Sequence, residues 1–85
     1  MLLDVNRKCL EHIDKQIVQL LSDRMYHSKI IGEIKKNLNI PIYDEIQEVK
    51  VYEKLAKLSE KYEVNPELIA RIYKLIMEES RKVQE

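Results

Sequence analysis

The sequence predicts an all-α fold, with one long N-terminal helix followed by two shorter helices. Its 85 residues include one glycine and two prolines, with 45% hydrophobic and 35% charged residues. A sheet protein needs turn residues at short intervals, which this composition does not supply. Apolar side chains recur instead at alternating spacings of three and four residues, the pattern of one helical face. This length allows a single domain, residues 1–85, with a small core.

The first helix is expected over residues 4–37, about 50 Å long, with Asp4 or Asn6 as its N-cap. Gly32 lies inside this helix and predicts the close approach of a neighbouring helix, because glycine has no side chain to keep it away. The apolar stripe of the helix comprises Leu10, Ile13, Ile17, Leu20, Leu21, Ile31 and Ile34.

Arg24 and Lys35 interrupt this apolar stripe. They are eleven residues apart, and at ~100° per residue such a separation returns to within ~20° of the starting direction. Both cations are therefore expected to face the core. Buried cations need partners or a ligand, so this stripe predicts a polar site.

The segment before residue 44 ends the first helix, because asparagine tolerates a left-handed turn and Pro41 forces the preceding residue to be extended. Asp44 is the predicted N-cap of a second helix over residues 44–62, with Gln47 in the capping-box position. The inward stripe of this helix is Val51, Leu55, Leu58 and Tyr62, and its backward extension reaches Glu48 and Asp44.

Asn65 followed by Pro66 predicts an N-cap and a third helix over residues 66–83. Its inward stripe is Ile69, Ile72, Tyr73 and Ile76, and the same spacing continues to Ser80 and Gln84. All three helices therefore place polar residues on faces that otherwise point to the core.

One chain is not expected to cover the whole apolar stripe of its first helix. The second and third helices are each ~27 Å long, so as an antiparallel pair they cover barely half of the first helix. An apolar patch of that size is rarely left in water, so we expect an intertwined homodimeric helical bundle. Arg7 lies ~25 Å from Arg24 along the first helix. It cannot reach the same small ligand within its own chain, but it could from an antiparallel partner helix.

The charge balance limits the partners. Fifteen basic residues match fifteen acidic ones, which does not suggest a surface for nucleic acid or membrane. No apolar run approaches ~18 residues and no leader sequence opens the chain. Cys9 is the one cysteine and is expected to act as a small apolar residue. A soluble cytoplasmic protein is therefore expected.

The predicted site combines cations, carboxylates and neutral polar groups from all three helices. An excess of positive charge suits a small anionic ligand that also carries hydroxyl groups. The candidate residues are Arg24, Lys35, Asp44, Glu48, Ser80 and Gln84, with Arg7 supplied by a partner chain.

These residues, in this order and at these spacings, resemble the AroQ-type (all-helical) chorismate mutase family. The resemblance covers essentially the whole chain and is therefore more specific than any local motif. It is carried by Arg7, Ile13 to Ile17, Leu20-Leu21, Arg24, Ile31-Gly32, Lys35, Pro41-Ile42, Asp44, Glu48, Ile72-Tyr73, Ile76, Glu78 to Ser80 and Gln84.

The resemblance implies an intertwined homodimer with two equivalent sites, each lined by three helices of one chain and Arg7 of the other. Chorismate would bind as a dianion and rearrange to prephenate by an intramolecular Claisen shift. The resemblance places Arg7 and Arg24 at the two substrate carboxylates, assisted by Ser80.

The same resemblance implies that Lys35 and Gln84 donate hydrogen bonds to the ether oxygen of chorismate. It implies that Asp44 and Glu48 engage the ring hydroxyl, and that no cofactor or metal is needed. The sequence departs from the pattern at Gln47, where many relatives carry an arginine. That departure concerns an auxiliary contact, either to the substrate or to Asp44.

Two alternatives stay open from the sequence. One is an enzyme similar to isochorismate pyruvate-lyase, which resembles this fold and its cations but acts on a substrate with its hydroxyl elsewhere. Asp44 and Glu48 favour the mutase. The other is a non-catalytic helical dimerisation module, whose buried polar residues would pair with each other across the seam and fix its register. Unpaired cationic donors in a pocket would favour an enzyme, and a closed salt-bridge network would favour the module.

Overall fold

The structure, a computed structural model, describes residues Met1–Glu85 and contains three α-helices and no β-strand. The helices are α1 (Leu2–Asn37), α2 (Glu45–Lys61) and α3 (Pro66–Gln84). The predicted all-α class, with one long helix and two shorter ones, is confirmed. No helix combines the length and the apolar character needed to cross a membrane.

The start of α1 differs from the prediction. The helix begins at Leu2 and no side chain caps it, so the expectation that Asp4 or Asn6 is the N-cap is wrong. The Asn6 side-chain amide instead donates to the carbonyl oxygen of Leu2 at 2.8 Å, within the helix. Leu2 and Leu3 are compatible with helix, and no breaker precedes Asp4. With 36 residues, α1 is about 54 Å long.

The connections follow local chemistry. After α1, Asn39 adopts a left-handed conformation with φ of 54°. Asp44 is the N-cap of α2, as predicted, and its Oδ1 accepts a hydrogen bond from the Gln47 backbone N–H at 3.0 Å. Before α3, the side chain of Asn65 accepts from the Glu67 backbone N–H at 2.9 Å. The capping residues therefore fix where α2 and α3 begin.

Helix α3 packs against both other helices, whereas α1 and α2 do not approach each other closely. Ser28 of α1 meets Ser80, and Gly32 meets Gln84 one turn later, so α1 and α3 run parallel. Helix α2 is antiparallel to α3, because Glu48 near the start of α2 contacts Arg81 near the end of α3. A groove therefore remains between α1 and α2, with α3 as its floor.

The close approach of α1 and α3 depends on small residues. Ser28 and Gly32 are the buried residues of α1. A Cβ atom at Gly32 would lie only 2.6 Å from the Cα atom of Gln84. The predicted reason for this glycine, the close packing of another helix, is confirmed. The neighbouring helix is α3, which approaches with its last turn.

The single chain is elongated and has little core. Only five of 85 residues are buried, and Met77 is the one hydrophobic residue among them. The molecule measures 57 × 23 × 16 Å with a radius of gyration of 16.0 Å, whereas a compact domain of this length has about 12 Å. With α1 and α3 parallel, the start of α3 lies level with about residue 14 of α1. The first third of α1 therefore projects beyond the other helices.

Several residues predicted to face inward are exposed in one chain. Leu10 and Ile17 of α1 are 58% and 49% exposed. In the other helices, Leu58, Tyr62 and Ile72 are also exposed. The helical stripes are present, but a single copy of the chain does not supply the surface that would cover them.

Candidate active site

A cavity of about 170 Å³ lies where the three helices converge. Its walls come from the second half of α1, the first turns of α2 and the last turns of α3. Pockets for drug-sized ligands typically enclose about 300–1,000 Å³, so this cavity is sized for a smaller molecule. The structure brings six of the seven predicted site residues into its lining: Arg24, Lys35, Asp44, Glu48, Ser80 and Gln84.

Arg24 is half-buried and has no carboxylate partner. Its Nη2 donates to the sulfur atom of Met77 at 3.5 Å, and its guanidinium lies 5.5 Å from the centroid of the Tyr73 ring. A thioether is a weak acceptor, so these contacts orient the guanidinium and leave most of its five donors unused. Arg24 can therefore bind an anionic group in the cavity.

Lys35 is held by the loop that follows α1. Its Nζ donates to the carbonyl oxygen of Ile42 at 2.7 Å. An ammonium group has three donors, so this contact positions the nitrogen and leaves donors for a ligand. Ile42 lines the same cavity, which places the Lys35 ammonium at its wall.

A chain of short polar contacts connects α1 to the end of α3. The hydroxyl oxygens of Ser28 and Ser80 are 2.6 Å apart, in a buried hydrogen bond. The Gln84 Nε2 donates to the carbonyl oxygen of Ser80 at 3.0 Å, and the Ser80 Oγ lies 3.5 Å away. The Oε1 of Gln84 is buried without any partner. An unpaired buried acceptor costs about 1–3 kcal/mol, and Gln84 Oε1 is the one buried side-chain nitrogen or oxygen atom of the structure in this state.

The two carboxylates at the start of α2 are both engaged. Asp44 caps the helix through Oδ1. Glu48 forms the one ion pair of the structure, with its Oε2 located 3.3 Å from the Nη1 of Arg81. The cavity lining thus contains three cations and two carboxylates, and the unpaired charge resides on Arg24 and Lys35.

Arg7 does not line the cavity. It is exposed and belongs to the part of α1 that projects beyond α3. Arg24 lies 17 positions further along the helix, at a distance of about 25 Å. The contribution of Arg7 from a partner chain therefore stays a prediction.

Ser28, Met77 and Arg81 line the cavity and were not among the predicted site residues. The spacing indicates Ser28, because it lies one turn after Arg24 on the cationic face of α1. It does not indicate Met77 or Arg81, which each lie one position away from the predicted inward stripe of α3. What the spacing lacked was the identity of the neighbouring side chain across the helix interface.

The chain matches known proteins over nearly its whole length. Residues 6–85 match the chorismate mutase type II family. A chorismate mutase from Methanocaldococcus jannaschii is 31% identical over 78 residues, which cover 92% of this chain and 79% of that protein. A bifunctional chorismate mutase/prephenate dehydratase from Buchnera aphidicola subsp. Schizaphis graminum is 42% identical over 74 residues, 87% of this chain. The matched part is 19% of that longer relative.

A solved structure also resembles the whole chain. A conserved hypothetical protein from Pyrococcus furiosus superposes with a TM-score of 0.79 at 34% identity, covering 100% of this chain and 97% of that one. The three-helix arrangement is therefore shared with an independently solved protein, and the family match includes every residue of the cavity lining. The chain belongs to the chorismate mutase type II family.

Proposed function

We propose that the protein is an isomerase that converts chorismate to prephenate, the precursor of phenylalanine and tyrosine, as a single domain formed by residues 1–85. The observation that carries the proposal is the pair of cations without carboxylate partners, Arg24 and Lys35, in a small cavity of a chain from this family. Chorismate is a dianion of one ring and two carboxylates. Unpaired cations in a cavity of this size suit such a ligand.

The first task of the site is to hold the flexible substrate in its compact reactive conformer. Arg24 binds one substrate carboxylate, with its guanidinium oriented in advance by Met77 and Tyr73. The hydroxyls of Ser80 and Ser28 share one hydrogen bond, and either can be its donor. When Ser28 donates, the single Ser80 proton is available to the substrate carboxylate. Fixing both ends of an intramolecular reaction removes the entropy cost of finding the reactive geometry, and a well-oriented intramolecular reaction can gain ~7–11 kcal/mol in this way.

The second task is to stabilise negative charge on the ether oxygen as its bond to carbon breaks. Lys35 and Gln84 are the proposed donors. The Gln84 amide nitrogen carries two N–H donors. One of them is used by the Ser80 carbonyl oxygen at 3.0 Å, and the Ser80 Oγ lies only at the outer limit of a hydrogen bond, at 3.5 Å. A donor of Gln84 is therefore available to a ligand in the cavity that this residue lines, and removing one such donor typically costs ~10²–10³ in rate.

The third task is recognition of the ring hydroxyl by Asp44 and Glu48. Both carboxylates line the cavity, and each keeps acceptor capacity beyond its contact in the structure. No proton needs to leave the substrate in a Claisen rearrangement, so these carboxylates are proposed as acceptors and not as bases. Donors and acceptors that bind the transition state better than the substrate raise the rate.

The proposed assembly is an intertwined homodimer with Arg7 supplied across the interface. Three features support it: the projecting first third of α1, its exposed apolar stripe, and the single buried hydrophobic residue of one chain. Two copies would cover each other's stripes. Each cavity would then gain a guanidinium for the second carboxylate of chorismate. A cytoplasmic location likewise stays a prediction.

Within one chain the polar residues of the site form a single ion pair, between Glu48 and Arg81, and this leaves Arg24 and Lys35 available to a ligand. A dimerisation module would instead pair these cations across the seam between two chains, and turnover distinguishes the two functions. The lyase is distinguished from the mutase by its products. Purified protein is incubated with chorismate or isochorismate, and the products are resolved chromatographically. The proposal predicts prephenate from chorismate. Salicylate with pyruvate from isochorismate would favour the lyase, and no turnover of either would favour the module.

A further inference from the structure

Arg81 occupies a position in the cavity that none of the roles above uses. It lies in the last turn of α3, beside Ser80, and lines the cavity. Its Nη1 is 3.3 Å from the Oε2 and 3.5 Å from the Oε1 of Glu48. The Glu48 side chain is 19% exposed and that of Arg81 is 34% exposed. Arg81 therefore forms an ion pair between α3 and α2, with the Glu48 carboxylate that is proposed to accept a hydrogen bond from the ring hydroxyl.

Arg81 also contacts the loop before α2, through the ring of Tyr43. Its guanidinium carbon lies 5.1 Å from the centroid of the Tyr43 ring, within the range of a cation–π interaction. Tyr43 immediately precedes Asp44, the N-cap of α2. One side chain of α3 thus contacts residues on both sides of Asp44, in the loop and in the first turn of α2.

The start of α2 depends on such a contact, because α1 and α2 do not pack against each other. The donors at the ether-oxygen side of the cavity, Lys35 and Gln84, belong to α1 and α3. The acceptors Asp44 and Glu48 belong to the start of α2. Their separation is therefore set mainly by the interface of α2 with α3 and by the loop after α1.

We propose that Arg81 is a positioning residue, which aims the Glu48 carboxylate at the substrate's ring hydroxyl and holds the start of α2 against α3. The inference rests on the proposed function, since it concerns the recognition of that hydroxyl. Arg81 acts through Glu48 and does not bind a substrate carboxylate. The pair is partly exposed, and ion pairs that solvent screens contribute little to stability, so catalysis is expected to respond to this contact more than folding does.

A double-mutant cycle tests the proposal. The kinetic parameters kcat and KM for chorismate are measured for the wild type, Arg81→Gln, Glu48→Gln and the double variant. Thermal unfolding of each is recorded in parallel. We expect Arg81→Gln to lower kcat/KM by about 10- to 100-fold, the range for a small displacement of a site group. In the Glu48→Gln background the same change should cost less than about twofold, because the carboxylate that Arg81 orients is gone.

Two further variants complete the experiment. Arg81→Lys should recover part of the lost kcat/KM, because an ammonium keeps the charge but not the planar fork. Arg71→Gln, which replaces an exposed arginine of the same helix, should leave kcat/KM unchanged and controls for the loss of a positive charge on α3.

The possible failures are distinguishable. If the wild type does not turn over chorismate, the proposed function and this inference both fall. If the wild type is active and Arg81→Gln costs the same factor in the wild-type background as in the Glu48→Gln background, Arg81 contacts the substrate directly and the positioning role is wrong. If activity falls only in proportion to unfolded protein, Arg81 is structural and the proposal is equally overturned.

Discussion

Gly32→Ala is expected to impair catalysis much more than stability. A Cβ atom at this position would lie 2.6 Å from the Cα of Gln84 and 2.8 Å from its backbone oxygen. Ordinary contact begins at 3.4–4 Å, so the last turn of α3 must move away by about 0.8–1.4 Å. The neighbour is backbone and cannot rotate out of the way, but it lies at a helix end, where the chain can shift.

The free energy of unfolding should change little, because two effects oppose each other. Alanine is favoured over glycine inside a helix by about 1 kcal/mol, and this offsets much of the cost of displacing the end of α3. We expect a net change within about 1 kcal/mol, corresponding to a shift in Tm below about 8 °C. The proposed donor Gln84, in contrast, is carried by the turn that moves. A displacement of ~1 Å can cost ~10²-fold in rate, or about 2.7 kcal/mol.

The assay is the initial rate of chorismate consumption, with kcat/KM and Tm measured on the same preparations. Glu33→Ala, at the exposed neighbouring position of α1, is the matched control and should retain full activity. In a Gln84→Ala background, Gly32→Ala should add little further loss, because the displaced donor is already absent. A well-folded Gly32→Ala variant with unchanged kcat/KM would show that the position of Gln84 does not limit catalysis. A loss of activity that follows a collapse in Tm would equally contradict the prediction.

Two other predictions concern the donor and the assembly. Gln84→Glu should lose ~10²–10³ in rate at pH 7–8, because a carboxylate repels the developing charge, and should recover activity towards pH 5 as it protonates. Glu85→Gln is its control, and a Gln84→Glu variant as fast as the wild type at pH 8 would remove Gln84 from the mechanism. Sedimentation at micromolar concentration should give about twice the mass of one chain, and a fully active monomer would contradict the dimer.

Local signals in the sequence are sufficient to predict the all-α class and the residues at which α2 and α3 begin. Asp44 and Asn65 cap their helices through side chains that bond within a few residues, so their roles depend on nearby sequence alone. The start of α1 was missed because no capping side chain marks it. The helix extends to Leu2, since nothing in the preceding residue stops it.

Contacts between helices were less accessible to prediction. Gly32 indicated a close neighbour, but not that the neighbour is the backbone of Gln84. Helical spacing places a residue on a face and leaves the partner across the interface undetermined. Arg81 could not be assigned for this reason, because its contacts with Glu48 and Tyr43 depend on the antiparallel register of α2 and α3.

In the proposed homodimer two chains complete each site, with Arg24 from one chain and Arg7 from the other. Arg7→Ala and Arg24→Ala chains are prepared separately, shown to be nearly inactive, then co-refolded in equal amounts, and heterodimer formation is verified. In each heterodimer one cavity carries both substitutions and the other carries neither. Random pairing therefore predicts recovery of about one quarter of the wild-type activity per chain. Confirmed heterodimers with no recovered activity would contradict this shared site, because both arginines would then serve the same chain's site.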